Sequence, residues 1–294
     1  IVINGAGAAA ISCTRLYQAF GAKRENIVML DSKGVIRNDR ENLSSEKAEY
    51  STGRNINTLE EAMKGADVFI GLSKADVVEP EMLGSMAKNP IVFAMANPDP
   101  EIAYNIAIAT RKDIIMATGR SDHPNQVNNV LGFPYIFRGA LDVRATKINE
   151  AMKMAAVKAL AKLAKESVPE QVNIAYGETK LTFGKEYIIP KPFDPRVLHW
   201  TAPAIAKAAM DTGVANKHID LDNYVERLKE QTDWSRGMMR KFYMLAQKHP
   251  KRVVFPEGDH PKIIWAAAEI VEEKLAYPVC WLKTKRKPSN NLKS

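Results

Sequence analysis

The sequence predicts an α/β protein: a doubly wound parallel sheet, then a helical C-terminal extension, then the first strand and helix of a second α/β domain. Three observations predict it. Short apolar runs at 1–3, 26–30, 68–72, 91–96 and 114–118 alternate with stretches of helical pattern, as parallel strands covered on both faces do. The first run leads straight into Gly5-Ala6-Gly7 and a run of alanines. The second ends on an acid, Asp31.

In chain order, the opening strand, turn and helix read as a dinucleotide-binding unit of the Rossmann type. Gly5 permits the tight turn, Gly7 lets the backbone approach a pyrophosphate, and the small Ala10 allows close helix-to-strand packing. The N–H groups and positive dipole end of a helix opening at Ala8 and Ala9 would receive the phosphate charge, with Ala6 between the glycines. Two glycines in an ordinary strand-to-helix turn would leave the same string. Gly21 reads as the C′ glycine of that helix, and Asp31 stands where the ribose-facing acid belongs. Residues 35–57 are polar and charged and read as a surface excursion with little core. Thr58 and Glu61 fit a capping box opening a short helix that Gly65 closes. Further helices are expected at 81–87 and 101–110. Ligands sit beyond the carboxyl ends of parallel strands, so Gly5, Gly7, Asp31, Ser73, Asn97 and the 119–129 loop are expected to converge on one cleft.

Composition fits a soluble globular protein: of 294 residues, 46% are hydrophobic and 26% charged. No apolar run reaches the ~18 residues of a spanning helix, so no membrane partner is expected. Two cysteines, Cys13 and Cys280, build no disulfide framework and suit a reducing cytoplasm. Five positive charges of the net +8 fall at Lys283, Lys285, Arg286, Lys287 and Lys293, which reads as a solvated tail and not as a nucleic-acid face. The chain starts without methionine and inside a strand, and is expected to be a piece of something longer.

Asn97, between an apolar run and Pro98, is either a turn residue bonding its own backbone or an amide for a ribose or a carboxylate substrate. The 121–129 stretch holds three Asn and one Gln, costly to bury unless partnered; His123 in it reads as a local hydrogen-bonder.

The strings Gly5-Ala6-Gly7-Ala8-Ala9-Ala10, Leu30-Asp31-Ser32-Lys33-Gly34, Phe93-Ala94-Met95-Ala96-Asn97-Pro98 and, most specific, Pro124-Asn125-Gln126-Val127-Asn128-Asn129 running on to Phe137-Arg138-Gly139 resemble the bacterial malic enzymes. The resemblance is to the long form fused to a phosphate-acetyltransferase-like domain. It implies oxidative decarboxylation of malate to pyruvate and carbon dioxide, with reduction of a nicotinamide cofactor and a divalent metal, Mg or Mn. It also implies a homo-oligomer at full length. Residues 5–10 would then bind the pyrophosphate, Asn97 the cofactor or substrate, and Asn129, beside Asn128, the malate carboxylate. In that family the acid, base and metal ligands all precede the Gly-Ala-Gly turn. No catalytic or metal residue is therefore expected in this chain, and Asp99 and Asp122 read as solvated loop acids.

Asp31 alone would favour NAD, since an acid bonds a 2′-hydroxyl and repels a 2′-phosphate. Ser32 and Lys33 could receive that phosphate instead. The resemblance implies NADP, and NAD stays open. The domains expected are a nucleotide-binding domain at 1–185, an extended and helical connector at 186–247, the start of a phosphate-acetyltransferase-like domain at 248–280, and a basic tail at 281–294. Within these, 147–165 reads as a helix burying Ile148, Met152, Ala155, Ala159 and Leu163, and 184–195 as a rigid extended segment. Two further readings compete: a nucleotide-binding module without chemistry, and an amino-acid dehydrogenase-like domain, which would need substrate lysines.

Overall fold

The computed structural model describes residues 1–178, 180–272 and 274–281. The chain divides into two compact units, 1–225 and 226–294. In the first, β1 (Val2–Asn4), α1 (Ala8–Ala19), β2 (Val28–Asp31) and a two-residue β3 (Gly34–Val35) are followed by α2 (Ser45–Glu49) and α3 (Leu59–Met63). Next come β4 (Val68–Gly71), α4 (Pro80–Gly84), β5 (Ile91–Ala94), α5 (Tyr104–Thr110) and β6 (Ile115–Thr118). The strands form one sheet in the order β3-β2-β1-β4-β5-β6, parallel except where β3 turns back on β2. After β2 the chain returns across β1 to β4, so the order reverses between β1 and β4. That is where such sheets open a ligand crevice at their carboxyl edge.

Alternation along the strands covers both faces. Val2, Val28, Leu30 and Phe69 pack with Met63, Leu83 and Ala107 of α3, α4 and α5, while Ile3, Met29 and Ile70 pack with Ala10 of α1. The α1 C-terminus is a Schellman turn: Gly21, at φ +101°, donates to Gln18 O and Ala22 donates to Tyr17 O. Thr58 and Glu61 form the reciprocal capping box.

The 35–57 excursion departs from its expected surface character. Val35, Ile36 and Tyr50 are fully buried, and Ile36 and Tyr50 join the core on the α1 face. Arg24 pins it from behind, its guanidinium donating to the carbonyls of Glu49, Ile27 and Ser51. Three scattered apolar residues carry too little periodicity to announce an element, yet each fills a hole beside β2.

Beyond the sheet, α6 (Phe133–Asp142), α7 (Glu150–Leu163), a short α8 (Glu170–Ala175) and α9 (Arg196–Asp211) follow. The buried face of α7 is Met152, Ala156, Ala159 and Leu163, so Ala156 takes the place expected of Ala155. α6 and α9 cross closely at Gly139, where a Cβ would run into Ala202 O and the Ile205 side chain. Residues 184–195 are not extended: Gly184 and Tyr187 bridge across a turn, and Tyr187 and Asp194 are buried. Asn125 ties this turn to the sheet. Its Nδ2 donates to Met116 O and Lys185 O, and its Oδ1 accepts from the N–H of Ile188.

α10 (Leu221–Lys248) begins within the span expected to be an extended and helical connector, and Tyr224 near its start donates to Asp142 Oδ2 at 2.6 Å. The second unit then holds β7 (Lys251–Phe255), α11 (Pro261–Glu272) and β8 (Ala276–Cys280), with β7 and β8 parallel. Pro278 is tolerated in β8 because a strand of a two-stranded sheet has a free edge. Val254, Trp265, Tyr277 and Trp281 are exposed on this small unit. The basic tail from residue 282 lies outside the described residues.

Asn125→Ala removes three hydrogen bonds from a buried site, and its φ of +54° suits Asn better than Ala. The expected loss is about 2 kcal/mol or more, since each buried group left unpaired costs about 1–3 kcal/mol. Urea unfolding of the two proteins checks it; equal midpoints would mean that the 184–188 turn is held by other contacts.

Candidate functional site

A cavity of about 670 Å³ opens at the carboxyl edge where β1, β2 and β4 end. Gly5, Ala6, Gly7, Asp31, Ser32, Lys47, Ser73 and Lys74 contribute to its lining. The two glycines serve it differently. Gly5 has φ +124°, and a Cβ there would sit 2.6 Å from Leu72 O, so the turn and the close approach of β4 both require glycine. Gly7 has φ −85°, and a Cβ there would meet nothing within 4 Å, only the open cavity. As N-cap of α1, Gly7 offers no capping side chain, and the first turn carries no acid. The leading N–H groups of Ala8, Ala9 and Ala10 are thus left without a side-chain acceptor at the positive end of the helix, an arrangement that favours an anion.

Asp31 is not a free acid. Its Oδ1 accepts from the Lys33 backbone N–H at 2.9 Å, both oxygens accept from Arg40 Nη2 at 3.1 and 3.0 Å, and Oδ2 accepts from Lys47 Nζ at 2.8 Å. Burial pushes the carboxyl up, but the hydrogen bonds from Arg40, Lys47 and Lys33 outweigh it and hold Asp31 well below the usual carboxylate range. Two cations around one carboxylate leave a net positive charge at the cavity wall. Lys47 is a third exposed there, and Arg40 is anchored by donating to Val35 O.

Other expected residues lie elsewhere. The Lys33 side chain is not part of the cavity lining; Ser32 and Gly34 are, on either side of it. Asn97 is exposed, just past β5 and before a cis Pro98, and neither it nor the 119–129 loop lines this cavity. Within that loop Asn125 is structural, and Asn128 accepts the N–H of Val130 at 3.0 Å, capping the turn Asn129–Leu131. Asn129 is exposed. His123 stacks on Tyr104 at 4.5 Å, and Asp122 is paired with Arg120 at 2.8 Å. Among the described residues no cluster of three or more His, Cys, Asp or Glu stands close enough to hold a metal ion. No helix among them is long and apolar enough to cross a membrane. Arg40 and Lys47 are the site residues that sequence reasoning missed. The available signal was two cations within 16 positions of an acid at a strand end, one of them in a helix capped by Ser44.

The glycine turn, the uncapped helix and the crevice at the strand-order reversal define a dinucleotide-binding domain of the doubly wound α/β class. The chain belongs to the malic enzyme family: the family model "Malic enzyme, NAD binding domain" matches residues 1–177. It is 51% identical over 282 residues to the NADP-dependent malic enzyme of Salmonella typhimurium (strain LT2), covering 95% of this chain and 37% of that one. It is 46% identical over 282 residues to the NAD-dependent malic enzyme of Rhizobium meliloti (strain 1021), with the same coverages. Among solved structures, the malic enzyme of Entamoeba histolytica matches at 34% identity and a TM-score of 0.70, over 82% of this chain and 49% of that one. The chain thus spans little more than a third of the length of these curated relatives.

The depressed Asp31 carboxyl sets a pH dependence. A group whose folded value lies below its unfolded value, about 4, contributes stability that is complete above about pH 4 and lost as the pH falls toward the folded value. Asp31→Asn is expected to lose about 1.5–3 kcal/mol at pH 7, as for hydrogen bonds to a charged group. That deficit should narrow at pH 3, read by urea unfolding at the two pH values; a deficit independent of pH would deny the carboxylate this role.

Proposed function

We propose that this chain is the cofactor-binding part of an NADP-linked malic enzyme, which oxidises and decarboxylates malate to pyruvate and carbon dioxide. The observation that carries the cofactor assignment is the Asp31–Arg40–Lys47 cluster beside the glycine turn. A lone acid would repel a 2′-phosphate; an acid held by two cations leaves positive charge for it, with the Ser32 hydroxyl alongside. NAD, which lacks that phosphate, gains nothing from Lys47. Residues 5–10 hold the pyrophosphate through backbone N–H groups, and Lys33 is a secondary contact at most. When bound, the dinucleotide supplies the hydride acceptor.

On the substrate side, Asn97 orients the cofactor or the malate by its uncharged amide, and Asn129 bonds a malate carboxylate without adding repulsion. Asn128 supports it by capping the turn on which Asn129 stands. The acid, base and metal ligands come, as the resemblance implies, from sequence that precedes the glycine turn in the relatives. The domain reading belongs to the same proposal: a nucleotide domain to about residue 185, a connector to 247, and the opening of a phosphate-acetyltransferase-like domain at 248–280. So do a homo-oligomeric whole enzyme and a cytoplasmic place of work.

Lys47→Ala should weaken NADP binding by roughly 1.5–3 kcal/mol and leave NAD nearly unchanged. Lys33→Ala should change both little. Calorimetric titration of residues 1–294 with each cofactor decides, and equal losses for NADP and NAD would remove Lys47 as the discriminator.

Gly7→Val should leave the melting temperature near that of the wild type, because no protein atom occupies the space of its Cβ. It should abolish binding of either cofactor. Unchanged affinity in the folded variant would mean that no pyrophosphate sits over this turn.

A further inference from the structure

The most completely buried carboxylate near the cavity belongs to a residue outside the site described above. Glu101 has no exposed surface. Its Oε1 accepts the N–H of Ser73 at 3.1 Å and its Oε2 the N–H of Ala96 at 3.0 Å. Those two amides occupy equivalent places. Gly71 and Ala94 are register partners at the ends of β4 and β5, and Ser73 and Ala96 each lie two residues further on. The last backbone bond between the two exits runs from Met95 N–H to Gly71 O; beyond it, the Glu101 carboxylate joins the diverging chains. Its own carbonyl accepts from Val77 and Val78, which fixes the carboxylate's base to the segment after β4.

The chemistry explains why this residue is a glutamate. Two N–H donors on different segments of the chain need two acceptor oxygens at a fixed spacing, which a carboxylate has and an amide or an apolar side chain lacks. Burying a charge is costly unless such bonds are made. The neighbouring glycine follows from it: a Cβ on Gly71 would overlap the carboxylate. On the cavity side, Ser73 accepts a hydrogen bond from Asn4 Nδ2 at 2.9 Å, so the end of β1 joins the same connection. Asn97 is the next residue after Ala96.

We propose that Glu101 is a positioning residue for the cofactor: it locks the exits of β4 and β5 together so that Ser73, in the cavity lining, and Asn97, just outside it, are held at a fixed spacing toward the dinucleotide. The inference rests on the cofactor reading above.

The test uses the full 294-residue chain and NADP. Glu101→Gln turns one acceptor into a donor facing an N–H, and should weaken NADP binding roughly tenfold or more well below the melting temperature of the variant. Glu101→Asp, which keeps both oxygens on a shorter arm, should fall between it and the wild type. Gly71→Ala, which displaces the carboxylate without removing it, should act in the same direction as Glu101→Gln. Leu163→Ala, a buried deletion in the helical extension, should lower the melting temperature without changing affinity, separating position from stability. Amide exchange in the wild-type chain needs no variant: the Ser73 and Ala96 amides should be protected before NADP is added. Unchanged affinity in folded Glu101→Gln and Gly71→Ala, or free exchange at those amides, would overturn the proposal. A wild-type chain that binds no dinucleotide overturns the cofactor reading itself, a failure visible without any variant.

Discussion

Parallel strands that all end at one edge leave a row of backbone groups there with no next residue to pair with, and the arrangement of this site depends on how each is satisfied. Asp31 accepts the Lys33 N–H just past β2 and Glu101 those past β4 and β5, while along the edge strand β6 Asn125 donates to Met116 O and accepts from the 184–188 turn. Polar side chains thus claim these backbone groups one by one. The exception is the start of α1, where Gly7 brings no side chain and the first turn brings no acid. The donors the protein does not satisfy are the ones a phosphate can.

The sequence stated the sheet well, because its signal is local: unbroken apolar runs, glycines at a turn and a capping box each depend on a few adjacent residues. It stated the site less well, because the decisive pairings are long-range. Nothing adjacent to Asp31 shows that Arg40 and Lys47 will fold back onto it. Lys33, nearest in sequence, donates through its backbone and turns out to stand beside the cavity and not in its lining. Glu101 read as the start of a helix at 101–110, whereas α5 begins at Tyr104 and the acid is free to turn inward. The apparent polarity of 35–57 misled for a related reason: Ile36 and Tyr50 are isolated in sequence and fully buried in space.

The same logic separates the asparagines of the 121–129 loop, which share composition and differ in burial. Asn125 satisfies its amide entirely with backbone, Asn128 caps a turn, and Asn129 faces solvent. A side chain whose polar atoms are all consumed by the fold has none left for a ligand.

Both cations that hold Asp31 are carried by residues 40 and 47, on the excursion between β3 and α3, and neither lies in a parallel strand. The registers of β1, β2 and β4 owe nothing to their side chains. The sign and density of charge at the mouth of the crevice are therefore set from outside the parallel strands, by a segment that also places Ile36 and Tyr50 in the core beside them. Such a division lets electrostatic character drift or be selected over generations by changes outside the strands, at a cost in stability wherever a change leaves the Asp31 carboxylate short of a partner.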